Sequence, residues 1–66
     1  MMPKYPNIEV QLTGQDGNAF YIIGTCLQAM RRAGVPQAER DEFQKQATSG
    51  DYNNLLATCM EWFDVS

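Results

Sequence analysis

Histidine is absent from this sequence of 66 residues, and its absence removes a large part of enzyme chemistry. Histidine is the commonest general base and the usual activator of serine and cysteine nucleophiles. It is also a frequent zinc ligand, and two distant cysteines do not make a zinc site. The alternating carboxylates of a calcium loop are missing as well. We therefore expect no metal and no cofactor, and we rank a small enzyme last among the function classes.

Cysteine is scarce, with Cys26 and Cys59 the two that the sequence contains. Each lies among apolar neighbours in a segment with a helical pattern, where burial would raise the pKa of the thiol and make it unreactive. The N-terminal residues 1–6 lack the apolar core of a secretory signal, so we expect a cytoplasmic protein with reduced thiols. The preferred interpretation is two buried core thiols. A disulfide remains an alternative if the two helix faces meet.

Positive charge is also scarce. Five lysines and arginines face eight aspartates and glutamates, which gives a net charge of −3. A protein that follows a phosphate backbone needs a basic face, so we expect no direct binding of nucleic acid. No apolar run approaches the length that crosses a bilayer, so we expect no membrane association.

The length of the chain indicates one domain, which we place at residues 7–66 after an N-terminal arm at 1–6. A core of this size supplies little stability without a disulfide, a metal or oligomerisation. Because the first two are disfavoured, oligomerisation is the help that we expect.

Alternating residues at 7–13 predict a strand in which Ile8, Val10 and Leu12 face the core. Residues 14–18 predict a turn with Asn18 as the N-cap of a first helix at 19–33, which Gly34 ends. Gly24 within this helix suggests the close approach of another backbone. The apolar positions of the helix form two neighbouring stripes, which we expect to face the core: Phe20, Ile23, Leu27 and Met30, then Ile22, Cys26, Ala29 and Ala33.

Pro36 suits the first turn of a second, peripheral helix, and Gly50 is the expected C-cap of that helix. Asp51 is the expected N-cap of a third helix, and the tail at 63–66 either frays or forms a short strand. The predicted fold class is therefore α+β, with one N-terminal strand, three helices and an optional C-terminal strand. A lone strand needs the tail or another chain beside it. We therefore expect a homo-oligomer, built through the strand or through the exposed sides of helices one and three.

Two groups of residues are candidates for binding. Tyr21, Gln28, Arg31 and Arg32 share the more polar side of the first helix, and tyrosine and arginine are common at interface hot spots. For any one of these residues taken singly, an ordinary exposed position on the helix is the favoured interpretation. The glycine-containing turn ends in Gly17 and Asn18 at a helix start, a geometry that can hold an anion. It matches neither established phosphate-binding motif, so a turn with a helix cap is the favoured interpretation.

The carboxylates offer weak candidates for acid–base chemistry. Glu39 and Glu42 are three residues apart and could share a helix face. Asp16, Asp51 and Asp64 lie at the ends of predicted elements. We expect structural roles for all of them, in capping helices and in solvating an exposed helix face.

Segments 15–20, 32–35 and 47–52 resemble a group of short, uncharacterised proteins of bacteria and their phages, over about residues 8–65. The resemblance implies a protein of the host cytoplasm, encoded on a mobile element, and it carries no catalytic residues. Our leading hypothesis is a non-enzymatic interaction protein, in its sharper form an accessory protein that blocks a host defence protein. The alternative is an oligomeric protein that binds a small ligand or nucleotide between the glycine-containing turn and arginines of a neighbouring subunit.

Overall fold

The chain forms two short strands and three helices. The computed structural model describes residues 2–12 and 17–66. Strand β1 (Tyr5–Val10) precedes three helices and a short second strand in the sequence. The remaining elements are α1 (Ala19–Arg32), α2 (Gln37–Ala47), α3 (Tyr52–Trp62) and β2 (Phe63–Val65). The predicted α+β fold with a short C-terminal strand is confirmed.

The two strands pair in parallel, so the segment with the three helices is the crossover between them. Glu9 lies opposite Asp64 and Val10 opposite Val65, and the register is irregular between Tyr5 and Glu9. Pro6, which has no amide hydrogen to donate, lies within that irregular stretch. The strand therefore begins at Tyr5, inside the segment that the sequence suggested as an arm, and the C-terminal tail supplies its partner.

The ends of α1 are fixed by side-chain and backbone hydrogen bonds that the sequence predicts. Oδ1 of Asn18 accepts from the amide of Phe20 at 2.8 Å and from that of Tyr21 at 3.4 Å. At the other end, Gly34 has a φ of 79°, its amide donates to the carbonyl of Arg31, and the amide of Val35 donates to that of Met30. This pair of bonds is the Schellman arrangement, which a residue with a side chain at position 34 would strain.

The other two helices differ at their boundaries from the prediction. Asp51 caps α3 as expected, because its carboxylate accepts from the amide of Asn54 at 2.9 Å. The C-cap of α2 is Thr48, and the prediction that assigned this role to Gly50 was wrong. Gly50 is needed for a different reason, since a Cβ there would lie 2.9 Å from the Cβ of Asn54.

The core lies between the sheet and the three helices. Its centre is an aromatic cluster in which the ring of Phe43 packs edge-on against Trp62 and Phe63, with centroids 5.5 and 5.1 Å away. Helix α2 is polar on most of its surface, yet its Phe43 is completely buried. The buried apolar residues are Ile8, Val10, Ile22, Cys26, Met30, Val35, Phe43, Ala47, Leu55, Cys59, Trp62 and Phe63.

Helix α1 turns one side of its broad apolar surface away from the core. Ile22, Cys26 and Met30 are buried, whereas Phe20 is 86% exposed, so its assignment to the core stripe was wrong. Phe20 is about 120° around the helix from Cys26, because successive residues are about 100° apart. The core accepts a stripe centred on Cys26, and the opposite edge of the apolar surface stays in solvent.

Gly24 does not pack against any other element of the described chain. A Cβ built at this position would have no neighbour within 4 Å outside its own helix, so the expected close approach of another backbone is not found. The glycine therefore carries its helix-propensity cost without a packing reason in the described chain.

We expect the substitution Gly24→Ala to stabilise the protein by about 0.8–1 kcal/mol, because it removes this propensity cost without a clash. The melting temperature should rise by roughly 3–8 °C for a domain of this size. Thermal unfolding followed by circular dichroism at low protein concentration measures this change. A lower melting temperature would mean that a neighbouring backbone does approach Gly24, and Gly34→Ala serves as a contrast that should destabilise.

Candidate functional site

Three of the four polar candidate residues on α1 line one surface concavity, and Tyr21 is the exception. Gln28, Arg31 and Arg32 line an open surface concavity of about 610 Å³ with Gly24 and Leu27. Tyr21 lies about one turn before Gly24 and two turns before Gln28 on the same helix, and it is 42% exposed. The concavity follows from Gly24, since a residue without a side chain leaves space between its neighbours on the helix surface. The structure thus supplies Gly24 and Leu27 as members of this surface, which the sequence did not suggest.

Gly17 and Asn18 lie at the opposite end of α1. Thirteen residues separate Asn18 from Arg31, a distance of about 20 Å at 1.5 Å per residue. Asn18 caps the helix through its side chain, and the carbonyl of Gly17 accepts a hydrogen bond of 2.7 Å from the hydroxyl of Tyr52. Gly14, Gln15 and Asp16, which complete the proposed anion-binding turn, lie outside the described residues. Within one chain the two candidate groups form two separate surfaces.

A second concavity, which the sequence did not indicate, lies where three helices meet. It has a volume of about 300 Å³ and is mainly apolar. We call it the Phe20 groove, and it is lined by Ala19, Phe20, Ile23, Ala47, Thr48, Gly50, Asp51, Tyr52 and Leu55. The start of α1 forms one wall, the end of α2 and the start of α3 form the other, and Leu55 is buried within it.

Tyr52 fixes the shape of the Phe20 groove. Its hydroxyl donates to the carbonyl of Gly17, so the first turn of α3 is tied to the segment that leads into α1. The ring of Tyr52 remains 45% exposed, and Phe20 is exposed nearby. Two aromatic side chains thus border an apolar depression and are accessible to solvent. The sequence could have indicated that Phe20 is exposed, because Phe20 and Cys26 are about 120° apart on the helix and cannot both face the centre of one core.

The two thiols lie in contact in the core. Cys26 of α1 and Cys59 of α3 are both fully buried and unbridged, and their Sγ atoms are 3.7 Å apart. The hydrogen bond with Cys59, followed by burial, raises the pKa of Cys26. The same hydrogen bond lowers the pKa of Cys59, while burial opposes that change. The interpretation of buried core thiols is confirmed, and the helix faces that carry them do meet.

Glu39 and Glu42 both accept hydrogen bonds from other side chains of the chain. Oε1 of Glu39 accepts from Nζ of Lys4 at 2.7 Å and from the hydroxyl of Tyr5 at 2.9 Å. Glu42 accepts from the amide group of Gln46 at 2.9 Å. The Lys4 ammonium also lies over the Trp62 ring, 4.3 Å from its centroid. These bonds attach the N-terminal segment to α2 and α3, and they give Glu39 a structural role.

Residues 2–12 and 17–66 contain no group of three or more cysteine, aspartate or glutamate side chains arranged to hold a metal ion. In the same described residues, no helix is both long and apolar enough to cross a membrane. Comparisons with models of protein families, with curated proteins and with solved structures gave no match to this chain.

The contacts of Glu39 predict a dependence of stability on pH. The hydrogen bonds from Lys4 and then Tyr5 lower the pKa of Glu39 below its ordinary 4.5. A lowered pKa means that the stabilisation is complete above pH 4.5 and is lost as the pH falls through the value in the folded protein. We therefore expect Glu39→Gln to reduce the urea midpoint near neutral pH and to have a diminishing effect as the pH falls through the pKa of Glu39 in the folded protein, because the protonated carboxyl is then neutral like the amide.

The measurement is the urea midpoint of the wild-type chain and of Glu39→Gln from neutral to acidic pH, with Glu42→Gln as the control. Glu42 contacts Gln46 on its own helix, so its removal should change the midpoint less. A Glu39→Gln effect that is equal at both ends of the pH range would contradict the assigned ion pair.

Proposed function

We propose that this protein is a small, non-enzymatic interaction protein that binds through the Phe20 groove. The observation that carries the proposal is the 86% exposure of Phe20 beside an apolar depression. Aromatic anchors that enter apolar pockets supply much of the binding energy in protein interfaces. Burial of a phenylalanine side chain contributes about 1.5–3 kcal/mol, which folding of the single chain leaves unused.

The occupant that we infer for the Phe20 groove is a second copy of this chain. Phe20 and the depression lie on the same surface, so a twofold axis can place each Phe20 in the groove of the other copy. Self-association would also supply the stability that so small a core lacks. A standard interface covers about 800 Å² on each partner, nearly a fifth of this chain's 4455 Å². The groove is smaller than that, so we expect a weak dimer with a Kd on the order of 10–100 µM.

The sharper form of the proposal concerns a partner from another organism. The resemblance to short proteins of bacteria and their phages favours an accessory protein that blocks a host protein. In that form, an apolar side chain of the host protein takes the place of the second Phe20 in the groove. The small size and the acidic charge of this chain support this form, since an acidic surface can compete for a basic one.

We expect Phe20→Ala to weaken self-association at least tenfold without destabilising the monomer. The side chain is almost fully exposed in the single chain, so its removal leaves no cavity. Sedimentation velocity from about 1 to 500 µM measures the association, and thermal unfolding at the lowest concentration measures the monomer. Met60→Ala is the matched control. Met60 is also exposed, at 66%, but it lies on a different surface beside Met2 and Pro3.

Three outcomes would contradict the proposal in different ways. A monomer over the whole concentration range would contradict self-association. Equal weakening by Met60→Ala would move the contact away from the Phe20 groove. Host proteins retained equally by the wild-type chain and by Phe20→Ala would contradict the blocking form.

A second candidate function follows from the other concavity. Gln28, Arg31 and Arg32 present an amide and two guanidinium groups on one helix end, which suits a phosphate-bearing ligand. The negative end of the helix dipole lies at the same place and opposes anion binding. Gly17 and Asn18 could contribute only from another chain, because they are about 20 Å away along α1. We therefore rank binding of a nucleotide second to protein interaction.

Nucleoside triphosphates and pyrophosphate are the probes for this second candidate. If it holds, they should raise the melting temperature of the wild-type chain by several degrees, and the shift should be lost in the double variant Arg31→Ala, Arg32→Ala. Substitution of Arg40, whose guanidinium donates to the carbonyl of Val35, provides a control at another arginine. If none of the probes changes the melting temperature, the proposal of nucleotide binding is contradicted.

A further inference from the structure

The contact between Cys26 and Cys59 joins two helices that are far apart in sequence. The sulfur atoms are 3.7 Å apart, whereas a disulfide bond is about 2.05 Å long. The sulfurs would thus have to approach by about 1.7 Å for a bond to form. Both sulfurs lie in the same buried space, and no other residue separates them.

A bond at this place would enclose most of the helical part of the molecule. The segment from Cys26 to Cys59 contains the second half of α1, all of α2 and most of α3. The strands β1 and β2 lie outside this segment and already pair with each other through hydrogen bonds. A cross-link would therefore restrain the unfolded chain in the region that the sheet does not hold, and longer enclosed segments gain more from such a restraint.

We propose that Cys26 and Cys59 form a reversible intramolecular disulfide that joins α1 to α3. The oxidant is a small disulfide of the glutathione type. The thiolate of one of the two cysteines attacks one sulfur of that disulfide, and the first glutathione thiolate leaves. The thiolate of the other cysteine then attacks Sγ of the first in the mixed disulfide and displaces the second glutathione thiolate. One disulfide forms in the protein and one is consumed, and the two cysteine protons pass through water to the two glutathione thiolates.

Either thiol can make the first attack, because the hydrogen bond between them is lost in the open state that admits glutathione. Access controls the rate of this exchange, since both sulfurs are fully buried. Glutathione can reach them only when α1 and α3 separate, or before the core has closed during folding. The reaction of the folded protein is therefore slow, and a bond once formed is protected from reduction. The oxidation state would set how firmly the three helices are held together.

The test is a thiol–disulfide equilibrium of the full chain at fixed ratios of reduced to oxidised glutathione. Samples begin from the reduced chain and from a chain oxidised in concentrated urea and then refolded. After acid quenching and alkylation, intact mass separates dithiol, intramolecular disulfide, mixed disulfide and dimer. The same titration in concentrated urea gives the thiol–disulfide equilibrium constant of the unfolded chain. Folding and the disulfide must favour each other by the same factor, so the ratio of the two equilibria measures the fit.

We expect the folded chain to favour the intramolecular disulfide over the unfolded chain by roughly 30-fold or more, the lower end of what native disulfides contribute. The oxidised protein should then melt at least roughly 8 °C above the reduced protein. Cys59→Ala, which cannot form the bond, should melt at the same temperature in both buffers. If this variant does not fold, the comparison of oxidised and reduced wild-type chains is sufficient.

Several results would overturn the proposal. They are an equilibrium no more favourable than in urea, an oxidised chain that refolds to a lower melting temperature, and a predominance of mixed disulfides or disulfide-linked dimers. Each would mean that the two thiols pack in the core without the geometry of a bond.

Discussion

The packing of Phe43 against Trp62 and Phe63 is the contact on which the remainder of this small structure depends. All three rings are almost completely buried, and they come from α2, α3 and β2. The ring of Trp62 is in turn covered by the N-terminal segment, where Tyr5 stacks on it with centroids 5.9 Å apart. The indole of Trp62 donates to the side-chain oxygen of Gln46 at 3.0 Å, so its polar atom is satisfied at the edge of the core. One aromatic cluster thus holds two helices and both strands.

The position of this cluster explains why α1 is only partly covered. The aromatic rings draw α2 and α3 toward the sheet, and α1 closes the core with Ile22, Cys26 and Met30. No further layer of the described chain lies beyond it, so the apolar surface that extends past this stripe faces solvent. Phe20 and the depression beside it are the result. The same arrangement places Cys26 against Cys59, where α1 meets α3.

Pairing of β2 with β1 changes the reason to expect a partner. A lone strand would have required another chain, but the C-terminal tail pairs with one edge of β1, and backbone bonds extend the pairing to Leu12 and Ser66. The surface of α1 and α3, with Phe20 exposed on it, is therefore a better candidate for association than the strand. The two surfaces would bind a partner through different contacts. A strand edge binds through backbone hydrogen bonds, whereas the Phe20 groove would bind through apolar side chains.

The local sequence was sufficient to determine the elements and most of their ends. Asn18, Gly34 and Asp51 act through hydrogen bonds or dihedral angles of their immediate neighbours, so a short stretch of sequence contains all that they need. The tertiary structure alone decided which side of α1 is buried, that the tail pairs in parallel with β1, and that the two sulfurs touch. Periodicity shows which residues share a helix face, but an apolar surface wider than the core can cover leaves several orientations open. The choice among them depends on contacts of α1 with other elements, among them the contact of Cys26 with Cys59, and these form only when the whole chain is folded.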